Sequence, residues 1–367
     1  MKLVPKRRFK GFSGEWEVQR LGDVSSITAG GDVDATQISD KGNYPVIANA
    51  LNSEGIIGYY NNNYRIKAPA VTVTGRGDIG HASARKINFT PVVRLLAIKS
   101  DHNVDFLANT INGLRIFSES TGVPQLTVPQ LGNYEITFPS IEEQQKIGLL
   151  FKKIDKRIDS QEAKLKKLRA MKQAYLHEMF PAEGESVPKR RFAGFSGEWE
   201  EKNLGDITNI NTGDSDVKDA DISGKYPFFI RSENVQRSNK YTFDGEAILI
   251  PGEGRLGEIF HYIKGKFDYH QRVYKISGFD EKIDGKFIFF SMHKSFKEHA
   301  MRYTVKSTVN SLRLPMLTEY IVNIPPLEEQ IKIAEFFSHL DEKTAMQEAK
   351  VEKLKAMKKA YLEEMFV

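Results

Sequence analysis

Cysteine is absent from the 367 residues, which excludes disulfides, thiolate metal sites and thiol nucleophiles and is compatible with a reducing cytoplasm. No stretch approaches the roughly 18 apolar residues of a membrane span, and the opening MKLVPKRRFKGF has no apolar core of signal-peptide length. These two absences predict a soluble cytoplasmic protein with no membrane contact. Catalytic signatures are missing too. The 8 histidines form no H-E-x-x-H pair, and there is neither a G-x-x-x-x-G-K-[ST] phosphate loop nor a G-x-S-x-G nucleophile elbow.

What is present has globular proportions. Hydrophobic residues make up 40% and charged residues 28%, far from the disordered class. The length suits two or three ordinary domains. A net charge of +5 permits contact with a polyanion without requiring one.

The strongest signal is internal repetition. Residues 4–24 read VPKRRFKGFSGEWEVQRLGDV, and residues 187–207 read VPKRRFAGFSGEWEEKNLGDI, with 16 of 21 positions identical. A second repeated passage pairs 138–180 with 324–366, with 23 of 43 identical. The inserts between, 25–137 and 208–323, hardly match. A duplicated frame around two unlike inserts predicts two readers on one scaffold. The inserts read as mixed and β-rich. AVTVT (70–74) and AILI (247–250) are buried-strand runs closed by glycine, while YEITF (134–138) and YIVNI (320–324) alternate and stop at proline. Helices are expected at 104–118 and 284–301.

The tails carry helical seams. Residues 141–180 contain no proline and one glycine, Gly148, with apolar residues at 147, 151, 154, 158, 165, 168, 175 and 179. The series 333, 337, 340, 351, 354, 361 and 365 repeats the pattern, and Gln161 with Gln347, and Lys172 with Lys358, hold matching polar positions. Forty helical residues span about 60 Å. The six-residue connector PAEGES reaches at most ~20 Å, so the second insert starts near the far end of the first helix. If the two helices pack together, the second must return antiparallel. The expected fold class is therefore α+β: two globular α/β domains (1–140 and 181–326) joined by a pair of long antiparallel coiled-coil helices (141–180 and 327–367), with pseudo-two-fold internal repetition.

Each insert also holds a G-x-G-x-x-G string, Gly75-Arg76-Gly77-Asp78-Ile79-Gly80 and Gly252-Glu253-Gly254-Arg255-Leu256-Gly257. A dinucleotide fingerprint needs a following helix, and neither continuation reads as one, so a tight turn is expected, with Arg76 and Arg255 projecting toward phosphate or a guanine edge. Further candidates for contact with DNA are Asn49, Asn52, His81, Arg85 and Lys86 in the first insert. Those in the second are Arg231, Glu233, Asn234, Arg237, His270, Arg272, Lys306 and Asn310. Asn and Arg suit adenine and guanine edges, although any one of them alone reads as ordinary surface. The Lys-Arg-Arg triplets at 6–8 and 189–191 fit either a DNA backbone or a basic turn beside a structural anchor in which Phe9, Phe12 and Trp16, and Phe192, Phe195 and Trp199, pack inward. Glu142-Glu143-Gln144 and Glu328-Glu329-Gln330 stand where helices begin, and the helix dipole suffices to explain their acids.

VPKRRFxGFSGEWE followed by LGD resembles the opening of the specificity (S) subunits of type I restriction-modification systems. The motif Pro-x-x-x-Glu-Gln that leads into their spacer helices is similar to Pro139–Gln144 and Pro325–Gln330, with Ser140 a small departure, and the tails ending AYLHEMF and AYLEEMF fit as well. The resemblance spans essentially the whole chain. It implies that each insert reads one half of a split, asymmetric site in double-stranded DNA and that the helices set the spacer. It also implies two modification (M) subunits, which carry S-adenosylmethionine and methylate adenine N6, and two restriction (R) subunits, which use ATP and Mg. The chain itself is then non-catalytic and binds no cofactor. From the residues alone, a coiled-coil adaptor for proteins and a nucleotide-dependent enzyme using the glycine loops stay open.

Overall fold

The computed structural model describes residues 3–117, 122–304 and 311–367. The chain divides into two compact units, Met1–Ala163 with Ala349–Val367, and Lys164–Glu348. Among the described residues no helix is long and apolar enough to cross a membrane.

The first unit contains β1 (Glu17–Arg20), β2 (Ser25–Ala29), β3 (Tyr44–Ile47), β4 (Ile56–Tyr60), β5 (Ala70–Thr74), β6 (Ala82–Arg85), β7 (Thr90–Pro91), β8 (Leu95–Ser100), α1 (Val104–Gly113), α2 (Val128–Gly132) and β9 (Glu135–Phe138). Helix α3 (Ile141–Met179) starts here and ends in the second unit. One sheet runs β2-β8-β5-β6 and another β4-β3-β7, while β1 pairs antiparallel with β9. All five residues of β5 are buried, as a short β-branched run closed by glycine predicts for a central strand. Asn103 caps α1 by accepting from the Asp105 and Phe106 N–H groups. The helix expected over 104–118 ends at Gly113, because Leu114 turns extended.

The second unit contains β10 (Glu200–Asn203), α4 (Leu204–Ile207), β11 (Asn209–Thr212), β12 (Tyr226–Phe229), β13 (Gln236–Ser238), β14 (Phe243–Pro251), β15 (His261–Tyr269), β16 (Val273–Ser277), α5 (Gly285–Thr304), α6 (Leu314–Thr318), β17 (Ile321–Ile324) and the start of α7 (Leu327–Met365). Its larger sheet runs β11-β16-β14-β15-β12-β13, and β10 pairs antiparallel with β17. The connectivity repeats that of the first unit despite the dissimilar sequences. The triplet β11-β16-β14 corresponds to β2-β8-β5, and β15 covers the roles of β6 and β7. Both units also make one parallel pair, β3 with β7 and β12 with β15.

The repeated frame is built the same way twice. Trp16 is buried against Phe106 and Phe366, with ring centroids 5.8 and 6.3 Å away. Trp199 is buried against Phe287 and Phe180 at 5.7 and 6.2 Å. Phe9 and Phe192 pack on the respective cores, and Lys146 and Lys332 lie over the Phe12 and Phe195 rings. The arginines of both triplets are engaged within this frame. Arg8 pairs with Glu143 and Arg7 with Glu364; Arg191 pairs with Glu329 and Arg190 with Glu178. The anchor reading of the triplets therefore holds for Arg8 and Arg191, which bind buried carboxylates, while Arg7 and Arg190 pair at the surface. The helix dipole likewise falls short for Glu143 and Glu329, whose carboxylates are buried.

Helices α3 and α7 are 39 residues each. In the first unit Lys358 meets Asp155 at 2.6 Å and Lys355 meets Glu162 at 2.8 Å. In the second, Arg169 meets Glu348 at 2.7 Å and Lys172 meets Asp341. One helix ascends in number while the other descends, so the helices run antiparallel within each unit. Ile147, Phe151, Ile154, Ile158, Ile333, Phe337, Leu340, Val351 and Leu354 are buried as the seam predicts. The single tail glycine is a packing requirement: a Cβ on Gly148 would stand 2.4 Å from Asn103 Oδ1, at the capped start of α1.

Candidate nucleic-acid interface

Both glycine loops leave a central strand, Gly75 after β5 and Gly252 after β14. Thr74 pairs with Leu95 and Pro251 with Val273, so each first glycine faces the residue before the neighbouring strand. A Cβ on Gly75 would lie 2.4 Å from the Arg94 carbonyl oxygen, and one on Gly252 would lie 3.0 Å from that of Arg272. The second glycines, Gly77 (φ +73°) and Gly254 (φ +88°), adopt the left-handed backbone that side chains disfavour. The same backbone hydrogen bond holds the first glycine of each loop: Leu126 N–H donates to Gly75 O at 2.8 Å, and Leu312 N–H to Gly252 O at 2.7 Å. The element that follows each loop is a strand, β6 or β15, and not a helix, so the turn reading describes the backbone.

The expected match between Arg76 and Arg255 is corrected by this register. Position by position, Arg76 corresponds to Glu253, and Asp78 to Arg255. The chemistry of the two loops differs accordingly. Arg76 makes no ion pair or side-chain hydrogen bond among the described residues, whereas Arg255 donates to Glu233 at 2.8 Å. Glu253 accepts from Arg231 at 2.9 Å and also from Arg272. The Arg231 hydrogen bond is the leading reason that the Glu253 carboxyl sits below its ordinary range.

Several candidates are committed inside the fold. Asn49 Oδ1 accepts from Gly75 N at 2.6 Å and Arg76 N at 3.2 Å, and Nδ2 donates to Arg76 O at 2.8 Å. Its amide therefore shapes the glycine loop and is not free for adenine. Arg85 donates to Thr72 Oγ1 at 3.0 Å and to Glu54, and burial pushes its pKa down. Lys86 pairs with Asp105. Arg237 donates to the carbonyls of Gly224 and Lys225, both at 2.9 Å. His270 is buried, with Nδ1 accepting from Arg272 N at 3.0 Å. Burial, followed by nearby Arg231, lowers its pKa and keeps that nitrogen an acceptor. Asn52, His81 and Asn234 are exposed. Lys306 and Asn310 lie outside the described residues.

Arg94 escapes a reading of motifs. It is exposed, its φ is +75°, and it makes no side-chain hydrogen bond or ion pair among the described residues. A non-glycine residue in that region is uncommon, and such strain gathers at functional sites. Nothing in the local sequence VVRLL announces it. Its position opposite Gly75 emerges only from strand register.

Comparison with known proteins gives this geometry a family. The type I restriction modification DNA specificity domain matches twice, over residues 13–170 and 196–356. Among curated relatives, the Escherichia coli type I restriction enzyme EcoDI specificity subunit is 30% identical over 164 residues, 45% of this chain and 36% of that protein. The type I restriction enzyme MjaVIII specificity subunit of Methanocaldococcus jannaschii is 23% identical over 279 residues, 67% of this chain and 64% of that protein. A putative type I specificity subunit of Mycoplasma pneumoniae is 28% identical over 140 residues, 38% of its own length. The match thus spans little more than a third of the EcoDI and Mycoplasma pneumoniae subunits. In fold, the chain resembles the crystal structure of the type I S subunit from M. genitalium with TM-score 0.76 at 15% identity, covering 99% of both chains. A chain from a solved type I restriction-modification assembly gives TM-score 0.52 at 17% identity, covering 96% of this chain and 97% of that one. Two matches that together span most of the chain, each beginning within one copy of the repeated frame, place it in the type I restriction modification DNA specificity domain family.

Proposed function

We propose that this chain reads a bipartite, asymmetric sequence in double-stranded DNA, one half per recognition unit, with α3 and α7 setting the unspecified spacer. The observation that carries this is the contrast between frame and loops. Trp16 and Trp199, Arg8 and Arg191, and Glu143 and Glu329 repeat in kind and partner, whereas the loop tips carry different charges on the same topology. Equivalent frames suit two copies of one partner, and unlike loops suit two unlike half-sites. On this reading the frames dock two M subunits, which bring S-adenosylmethionine and methylate adenine N6. Two R subunits, with ATP and Mg, add cleavage. The chain itself supplies recognition and no chemistry.

The test is to co-express the chain with its M partner and map N6-methyladenine across the host genome. One motif with two defined halves around a fixed gap is expected. Methylation confined to a continuous motif, or none, would overturn the proposal. Binding of the complex to a duplex carrying the mapped motif should also weaken steeply as salt rises, through counterion release; salt-independent binding would favour an adaptor for proteins.

A further inference from the structure

The two recognition units place three chain positions at the same corner. Asn49 and Arg231 each lie two residues beyond the strand that makes the parallel pair, β3 and β12. Arg76 and Glu253 are the second residues of the glycine loops, and each forms a single β-bridge, with Gln125 and Ser311 respectively. Arg94 and Arg272 immediately precede β8 and β16 and face the first glycines. In the first unit one of these side chains holds one of the other two loops, and in the second unit one side chain holds both. Asn49 grips the backbone of Gly75 and Arg76 in the first unit. In the second, Glu253 takes both Arg231 and Arg272.

We propose, resting on the DNA-reading function above, that 49/231, 76/253 and 94/272 form one reading corner per unit. One residue holds the corner, two guanidinium groups are presented, and the corner decides which bases each half-site carries. In the first unit Asn49 is the holder, and Arg76 and Arg94 are presented. In the second Glu253 is the holder, and Arg231 and Arg272 are presented. The holders are positioning residues.

The chemistry favours base edges over phosphates. A guanidinium offers five donors in a fixed fork, so Arg231 and Arg272 keep donors free while each binds one Glu253 oxygen. Such a fork matches guanine O6 and N7. A carboxylate between two arginines is a poor neighbour for a phosphate, which leaves base edges as the target of the two forks. In the first unit Asn49 holds only backbone and leaves Arg76 and Arg94 without an acid partner among the described residues. The two corners therefore carry formal charges of +2 and +1 on the same topology. That difference allows two units of one fold to read unlike half-sites.

The experiment uses the full-length chain in complex with its M partner and selects from a randomised-core DNA duplex library. Wild type, Arg94→Ala, Arg272→Ala and Glu253→Gln are compared, with thermal stability measured for each. Arg272→Ala and Glu253→Gln should change the enriched bases in one and the same half of the motif, and Arg94→Ala only in the other. Affinity for the wild-type motif should fall about ten-fold or more in each case, and the unaltered half serves as an internal control for folding. An unchanged motif in all variants would overturn the corner, as would arginine changes in both units that weaken every sequence equally. If wild type enriches no bipartite motif, the DNA-reading function itself fails and the corner falls with it.

Discussion

Arg8 and Glu143 stand 135 residues apart in the chain and meet through two parallel hydrogen bonds of 2.8 and 2.7 Å, with the carboxylate only 1% exposed. Arg191 and Glu329 repeat this with two bonds of 2.7 Å. Each pair clamps the repeated opening segment to the first turn of a long helix, and Arg8 also donates to Gly14 O.

Removing the acid leaves a largely buried guanidinium uncompensated. Glu143→Ala should therefore destabilise the first unit by about 3 kcal/mol or more. Glu142 is exposed in the same helical turn, and Glu142→Ala should cost under about 1 kcal/mol, the scale of a helix-dipole effect. Chemical denaturation of the two variants decides between the clamp and the dipole; similar small losses for both would refute the clamp.

Gly148 tests packing against propensity. Alanine is normally better than glycine inside a helix by about 1 kcal/mol. Here a Cβ would lie 2.4 Å from Asn103 Oδ1 and 3.1 Å from Phe106 N, so Gly148→Ala should destabilise. Ala334 occupies the corresponding place on α7, where Ala334→Gly should also lose about 1 kcal/mol. A rise in melting temperature for Gly148→Ala would show that α1 and α3 can separate at little cost.

His270 links the fold to pH. Its pKa in the folded chain is lowered, first by burial and then by Arg231, with Arg272 acting in the same direction and Asp216 and Glu253 opposing. The neutral ring is the form that accepts from Arg272 N. A histidine whose folded pKa is depressed supplies stability fully above its unfolded pKa, about 6.5, and loses it as pH falls below that value toward the folded pKa. The stability difference between wild type and His270→Gln should therefore shrink between pH 7.5 and pH 5. A difference independent of pH in melts of the two proteins would sink this.

What could be seen in the sequence depended on range. The strand AVTVT and the helical seams announce themselves through local periodicity, and both appear where expected. The doubled frame was legible because repetition needs no geometry. The arginine clamps were not, since a triplet at 6–8 gives no hint of a partner near 143. Asn49 looked like an adenine reader because a side chain's bonds to backbone leave no trace in composition. Arg94 and Glu253 emerged only once strand register showed which loop residues face one another.

The seam ion pairs set up a test of the proposed spacer ruler. Asp155–Lys358 and Glu162–Lys355 lie in the first unit, and Arg169–Glu348 and Lys172–Asp341 in the second. A heptad inserted between Glu162 and Arg169, matched by one between Glu348 and Lys355, keeps the apolar repeat in phase and leaves all four pairs intact. Seven residues add about 10 Å of helix at 1.5 Å per residue, close to three base pairs at 3.4 Å each. Methylation mapping of the lengthened protein with its M partner should return the same two half-sites with a gap longer by about three base pairs. The same gap, with both halves retained, would mean that α3 and α7 do not measure the DNA.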